Sequence, residues 1–184
     1  MTDSRRALAR QPWRTLTTRQ IYENPWIRLR EDTAELPDGR TTLYGVIEVP
    51  PAVGVLPFLD ARTVVLVGQY RYVARGFYWE IPTGGMKPGE TEEAAVQREL
   101  AEEAGYEATR LVKLCTFMSS KSVLDETAHI YAAEGLRPAA RAGDETEFIE
   151  IRAFPLDDVV RMVERSEIVD AMTVVAVLHA TRRR

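Results

Sequence analysis

Residues 84–106 read GGMKPGETEEAAVQRELAEEAGY, and the rest of the chain is organised around them. Pro88 and Gly89 mark a turn, and Thr91 followed by Glu92 and Glu93 predicts a helix start with acids at the positive end of the helix dipole. Gly105 predicts its end. Residues three and four apart share a helix face, so Glu99, Glu102 and Glu103 line one side, while Val96, Leu100 and Ala104 form the neighbouring apolar line that faces a core. Like charges this close cost roughly a few tenths of a kcal/mol per pair. Arg98 reaches Glu102 at i, i+4 and can fold back to Glu90, yet one guanidinium does not neutralise the cluster. A divalent cation would, since Mg²⁺ and Mn²⁺ take carboxylate oxygen together with water and phosphate.

An acidic helix face is by default only solvated. The order of residues argues for more. Gly84, five residues, Glu90, seven residues, then Arg98-Glu99-Leu100-x-Glu102-Glu103-x-Gly105-Tyr106 fills each fixed position of the Nudix box, with aromatic Tyr106 at the last bulky apolar position. On these residues the chain resembles the Nudix hydrolases. Gln69-Tyr70-Arg71-Tyr72 and Glu80-Ile81-Pro82-Thr83-Gly84-Gly85 are similar to the lead-in of the ADP-ribose and nucleoside diphosphate sugar pyrophosphatases, which narrows the resemblance to that branch.

The chain has 184 residues, 45% hydrophobic and 28% charged, enough for one cored domain with a modest appendage. No apolar run approaches the roughly 18 residues that span a bilayer, and the arginine-bearing start lacks the apolar segment of a secretory signal. A net charge of −4 argues against a general nucleic-acid binder. The single cysteine, Cys115, excludes an intrachain disulfide and a multi-cysteine zinc site, so a cytoplasmic location is expected.

In chain order, residues 1–15 are expected to form a flexible arm. Residues 16–49 are expected to form an N-terminal antiparallel β-hairpin, Arg19 to Glu35 against Thr41 to Val49 around the turn Pro37-Asp38-Gly39-Arg40. Such a unit is marginal alone and packs either on its own body or on a second subunit. Pro50-Pro51 opens the main domain, residues 50–184. There Ala52–Leu59 and Thr63–Gln69 read as buried strands paired with each other, Phe77–Ile81 leads into the box, and Thr109–Met118, Thr127–Ala133 and Phe148–Phe154 read as later strands. Leu156–Arg165 and Asp170–Arg182 have helical spacing. Strands, helix, strands, then helices predict an α/β fold with a mixed β-sheet, and the resemblance implies the Nudix α/β/α sandwich over about residues 45–184.

The resemblance also implies roles. Glu99 and Glu103 are expected to bind Mg²⁺ or Mn²⁺, with Glu102 in the same cluster by ligation or through water, and backbone oxygen at Thr83 or Gly84. Arg98 and Glu90 read as the ion pair that orders loop against helix, with Gly84 and Gly105 as structural glycines. The catalytic base is expected from the acidic stretch Gly143–Glu147, with Glu145 as base and Glu147 as a second base candidate or outer ligand. Arg71 is expected to contact phosphate and Glu80 to face the nucleoside side. Trp26, Arg28 or Tyr22 are candidates to reach a substrate base across a homodimer interface, and Lys121 and Glu126 to approach phosphate, sugar or metal. The segment Ser119–Glu126 lacks the proline that the ADP-ribose enzymes carry there. A sugar nucleotide such as GDP-mannose therefore stands beside ADP-ribose as substrate, with dinucleoside polyphosphates, oxidised nucleotides and capped RNA behind them. A nucleotide-sugar-sensing module without catalysis is the reading from another class. His129, His179 and Cys115 read as packing residues.

Overall fold

The computed structural model describes residues 9–139 and 148–182. By internal contacts the chain divides into two units, Met1–Val49 with Met118–Glu126, and Pro50–Phe117 with Thr127–Arg184.

In the first unit, strands β1 (Arg14–Glu23), β2 (Arg28–Glu35) and β3 (Thr41–Glu48) pair antiparallel in sequence order, and the two-residue β9 (Leu124–Asp125) adds to β3 in parallel. The structure corrects the two-stranded hairpin in one respect. What reads as one strand from Arg19 to Glu35 is the end of β1, a turn and β2. The turn is built by Asn24, whose side-chain oxygen accepts from the Trp26 and Ile27 amides, both at 2.9 Å. An Asn-Pro step is a turn signal, and here it outweighs the β propensity of its neighbours. Ordered strand also begins within the span expected to be an arm, at Arg14, next to a Trp13 ring that meets Tyr44 edge-on at 6.0 Å.

The second unit is built on two sheets. One has the order β7-β4-β10-β8, from β7 (Thr83–Gly85), β4 (Ala52–Pro57), β10 (Thr127–Pro138) and β8 (Tyr106–Met118). The other has the order β11-β5-β6, from β11 (Glu150–Pro155), β5 (Thr63–Arg71) and β6 (Gly76–Glu80). β10 runs parallel to β4 and β7 antiparallel to it, so the first sheet is mixed. The structure corrects the expected pairing of β4 with β5: β4 lies between β7 and β10, β5 between β11 and β6, because each apolar run finds its ladder partners in later segments of the chain. Strand side chains alternate between faces, and here both faces are apolar. Val53, Val55, Val65, Val67, Tyr131 and Ala133 pack with Val96, Leu100 and Ala104 of helix α1 (Glu92–Ala104). The intervening Leu56, Leu66, Ile130 and Ala132 pack on the other side with Leu156 and Val159 of α2 (Leu156–Glu164) and Ala176, Val177 and Ala180 of α3 (Ala171–Arg182). Helix lies on either side of strand, the α/β/α sandwich that the element order implies.

Candidate active site

Helix α1 begins where its sequence dictates. Thr91 has extended backbone, φ −78° and ψ 157°, and its hydroxyl accepts from the Ala94 amide at 3.2 Å. Gly105, at φ 71°, closes the helix in the left-handed conformation that glycine adopts without strain. Three polar clasps fix the helix to the strands. Near its start the buried Tyr131 hydroxyl donates to Glu92 at 2.7 Å, and the Lys113 ammonium donates to the same oxygen at 2.6 Å. Burial pushes the Glu92 carboxyl up, but these two donors outweigh it and leave the group below its ordinary range. Burial, and then the Glu92 charge, push the Tyr131 hydroxyl above its ordinary value. In mid-helix the Gln97 amide donates to the Ala108 carbonyl at 2.7 Å and accepts from the Ala108 amide at 3.0 Å.

The third clasp holds the carboxylates of the box. The Glu103 carboxylate, 5% exposed, accepts from the Thr83 amide at 2.8 Å. One helical turn back, Glu99 is 8% exposed and lies directly against Gly84. A Cβ on Gly84 would stand 1.9 Å from Glu99 Oε1 and 2.2 Å from its carboxyl carbon, which explains glycine at the first position of the box. Arg98 ties loop to helix. It donates to Glu90 through Nε and Nη2, each at 2.9 Å, to Glu99 at 2.5 Å, to Glu102 at 3.2 Å and to the Gly85 carbonyl at 3.0 Å. Hydrogen bonds from Arg98 hold the Glu90 carboxyl down at about 2, and Glu90 in turn raises the guanidinium above its ordinary value.

Beside these carboxylates, Arg71 holds Glu80 with two nitrogens, at 3.0 Å from Nε and 2.5 Å from Nη2. With its amide oxygen turned toward Arg71, buried Gln69 accepts from both terminal nitrogens at 3.0 and 3.2 Å. The Arg71 side chain is still 40% exposed. It lines a cavity of about 400 Å³ with Glu80, Thr83, Tyr78, Asp170 and Met172. Glu80 is thus the partner that orients Arg71, a geometry the sequence leaves open.

The second unit therefore brings together Arg71, Glu80, Thr83, Gly84, Glu90, Arg98, Glu99, Glu102 and Glu103 from β5, β6, β7, the loop that follows it and α1. Trp26, Arg28, Lys121 and Glu126 belong to the first unit. There Trp26 is 75% exposed, Arg28 pairs with Glu23 at 3.2 Å and Glu48 at 3.5 Å, and Lys121 is exposed. Glu145 and Glu147 lie outside the described residues. Sequence reasoning missed Gln97, Asp170 and Thr173. The cap that Asp170 forms on Thr173 was legible, since the two stand at a helix N-cap spacing, whereas the bond from the Ile81 amide to Thr173 was not.

The chain belongs to the Nudix family of hydrolases: the NUDIX domain matches residues 48–172. Residues 13–47 match the nucleoside diphosphate sugar hydrolase N-terminal domain, which assigns the chain within the family to the branch of ADP-ribose and nucleoside diphosphate sugar pyrophosphatases. It is 34% identical to the methanol dehydrogenase activator of Bacillus methanolicus and 35% identical to the ADP-ribose pyrophosphatase of Bacillus subtilis (strain 168). Each match covers 89% of this chain and 90% of the relative. A solved structure described as an ADP compounds hydrolase superposes with a TM-score of 0.84 at 23% identity, covering 94% of both chains, and shares the fold.

Gly84→Ala tests the close approach. The clash falls on the end of the flexible Glu99 side chain, so Glu99 swings away and the backbone stays. Displacing a site carboxylate by an ångström costs about 10²-fold in turnover. The variant is expected to show that loss in steady-state hydrolysis while its thermal melting stays close to wild type.

Proposed function

We propose that this chain is a divalent-metal-dependent pyrophosphatase that splits ADP-ribose, or a related nucleoside diphosphate sugar, into a nucleoside monophosphate and a sugar phosphate. One observation carries the reading. The backbone of Thr83 and Gly84 touches both buried box carboxylates, Glu103 and Glu99, and Thr83 also lines the cavity that holds Arg71. The residues suit a hard cation. They offer carboxylate oxygen and the Thr83 or Gly84 carbonyl, and Arg98 is a single positive charge shared among Glu90, Glu99 and Glu102. Among the described residues no three His, Cys, Asp or Glu side chains converge into a cage. Water and substrate phosphate would have to complete the shell, the usual arrangement for Mg²⁺. Mg²⁺ is the proposed physiological ion, and Mn²⁺ fits the same donors.

A divalent cation held there would supply charge neutralisation for the diphosphate and a water of lowered pKa. The chain does the remainder. Glu99 and Glu103 fix where the cation sits, with Glu102 beside them. Arg71, its plane set by Glu80 and Gln69, offers N–H to a phosphate oxygen. The water oxygen bonds to one phosphorus, its proton passes to a carboxylate, for which Glu145 is proposed with Glu147 as second candidate, and the bridging P–O bond breaks with the oxygen leaving on the other phosphoryl group. Trp26, Arg28, Lys121 and Glu126 are proposed as further substrate contacts, and residues 16–49 as the dimerisation element of a homodimer. No helix among the described residues is long and apolar enough to cross a membrane, and a cytoplasmic location is proposed.

The absence of proline from Ser119–Glu126 keeps GDP-mannose in view. The test is monophosphate release from ADP-ribose, GDP-mannose, UDP-glucose, diadenosine polyphosphates and nucleoside triphosphates, with Mg²⁺ or Mn²⁺. Turnover of ADP-ribose or a sugar nucleotide at least tenfold above the other classes is the expected outcome. Binding of ADP-ribose with no turnover of any compound would instead support a sensing module.

A further inference from the structure

Thr173 is a polar side chain with no exposed surface, on the face of α3 that also buries Ala176, Val177 and Ala180. Its hydroxyl both donates and accepts. It donates to Asp170 Oδ2 at 2.6 Å and accepts from the Ile81 amide, 92 residues away in sequence, at 2.9 Å. Asp170 Oδ2 also accepts the Thr173 amide at 2.8 Å, so the hydroxyl's acceptor is held by the helix itself. The backbone that follows Ile81 has little freedom left. Pro82 has no N–H to give, and its carbonyl accepts from the Val55 amide at 3.0 Å. The next N–H is that of Thr83, and it donates to Glu103 at 2.8 Å.

We propose that Thr173, braced by Asp170, is a positioning residue for the metal-binding carboxylates: it anchors Ile81 from α3 while Val55 anchors Pro82 from β4, so that the Thr83 amide is held on Glu103. This rests on the reading of Glu99 and Glu103 as metal ligands. A buried N–H deprived of its acceptor is costly, so without the hydroxyl the Ile81–Thr83 segment moves toward another acceptor and carries the Thr83 amide with it. The apolar surroundings of Thr173 ask only for a side chain of its volume. The polar function is separable from the packing.

Thr173→Val keeps the volume and removes the hydroxyl, and Thr173→Ser keeps the hydroxyl. The test has two arms. Binding of Mn²⁺ to the metal-free protein is followed by electron paramagnetic resonance of the free ion, without substrate, and kcat and KM are measured on the substrate that the panel selects. Loss of a group that orients a metal ligand costs about 10- to 100-fold in metal affinity or activity. Thr173→Val is expected to bind Mn²⁺ at least tenfold more weakly and to lose kcat with KM nearly unchanged, and Thr173→Ser is expected to recover both. Should Thr173→Val fail to fold, Thr173→Cys, similar in size with a weaker hydrogen-bonding group, carries the test with an expected loss of about threefold. Mn²⁺ affinity and kcat equal to wild type in a folded variant, with only the melting temperature lowered, would overturn the proposal by reducing Thr173 to packing. Absence of Mn²⁺ binding by the wild type would overturn the metal site itself and the proposal with it.

Discussion

Glu103→Gln is expected to leave a folded protein whose hydrolysis of its diphosphate substrate falls by about 10²- to 10⁴-fold, the range that several kcal/mol of lost charge stabilisation produces. The substitution is nearly isosteric. The side-chain oxygen of Gln can still accept the Thr83 amide, the contact that the carboxylate makes at 2.8 Å, so the loop between Ile81 and Gly85 has no reason to move. The negative charge, however, is gone from a position only 5% exposed, where the surroundings screen it little. Two measurements separate the readings. If Glu103 is a ligand, Mn²⁺ affinity falls with kcat while the melting temperature holds or rises, because a buried charge has been removed. If its role is only to receive the Thr83 amide, the variant keeps its activity, and the metal site must be sought elsewhere.

The contrast between Glu103 and Thr173 shows which parts of the site were legible in the sequence. Glu99, Glu102 and Glu103 were visible because helical periodicity is local: spacings of three and four put them on one face whatever the rest of the chain does. Thr91 and Gly105 announced the helix ends through their own backbone chemistry, and the apolar runs of β4 and β5 announced strands covered on both faces, though not that the two belong to different sheets. Contacts that join distant segments left no such trace. Nothing near Ile81 indicates that its amide is received by Thr173, and nothing in the sequence indicates that Arg71 reaches Glu80, since the β5–β6 register sets Arg71 opposite Gly76 and Glu80 opposite Val67 and the two meet only through their side chains. The N-terminal unit illustrates a different gap. Asn24-Pro25 was a turn signal, but it lay among β-branched and aromatic residues, and the side-chain hydrogen bonds that make Asn24 decisive exist only once the turn has formed.

Arg98→Met is expected to be the most destabilising single change at the site, by about 3–5 kcal/mol, the cost of removing one partner from a buried ionic network. Arg98 is 11% exposed at its side chain, and its loss takes the shared cation from Glu90, Glu99 and Glu102, whose side chains are 14%, 10% and 27% exposed. Arg98→Lys restores the charge but not the planar fork that serves Glu90 with two nitrogens and Gly85 with a third bond, so it should recover only part of the loss. The pH dependence distinguishes this account from simple loss of packing. Glu90 titrates near 2 in the folded protein against 4.5 as its ordinary value. A carboxylate with a depressed folded pKa contributes stability that is fully present above its unfolded value and is lost as pH falls through the folded one. In Arg98→Met that depression is largely removed. The stability difference between wild type and variant, measured by urea unfolding from pH 7 downward, should therefore hold steady to about pH 5 and then narrow continuously toward pH 2. A difference that stays constant across that window would mean that Arg98 acts through the volume it fills, and that the Glu90 pair contributes nothing to the fold.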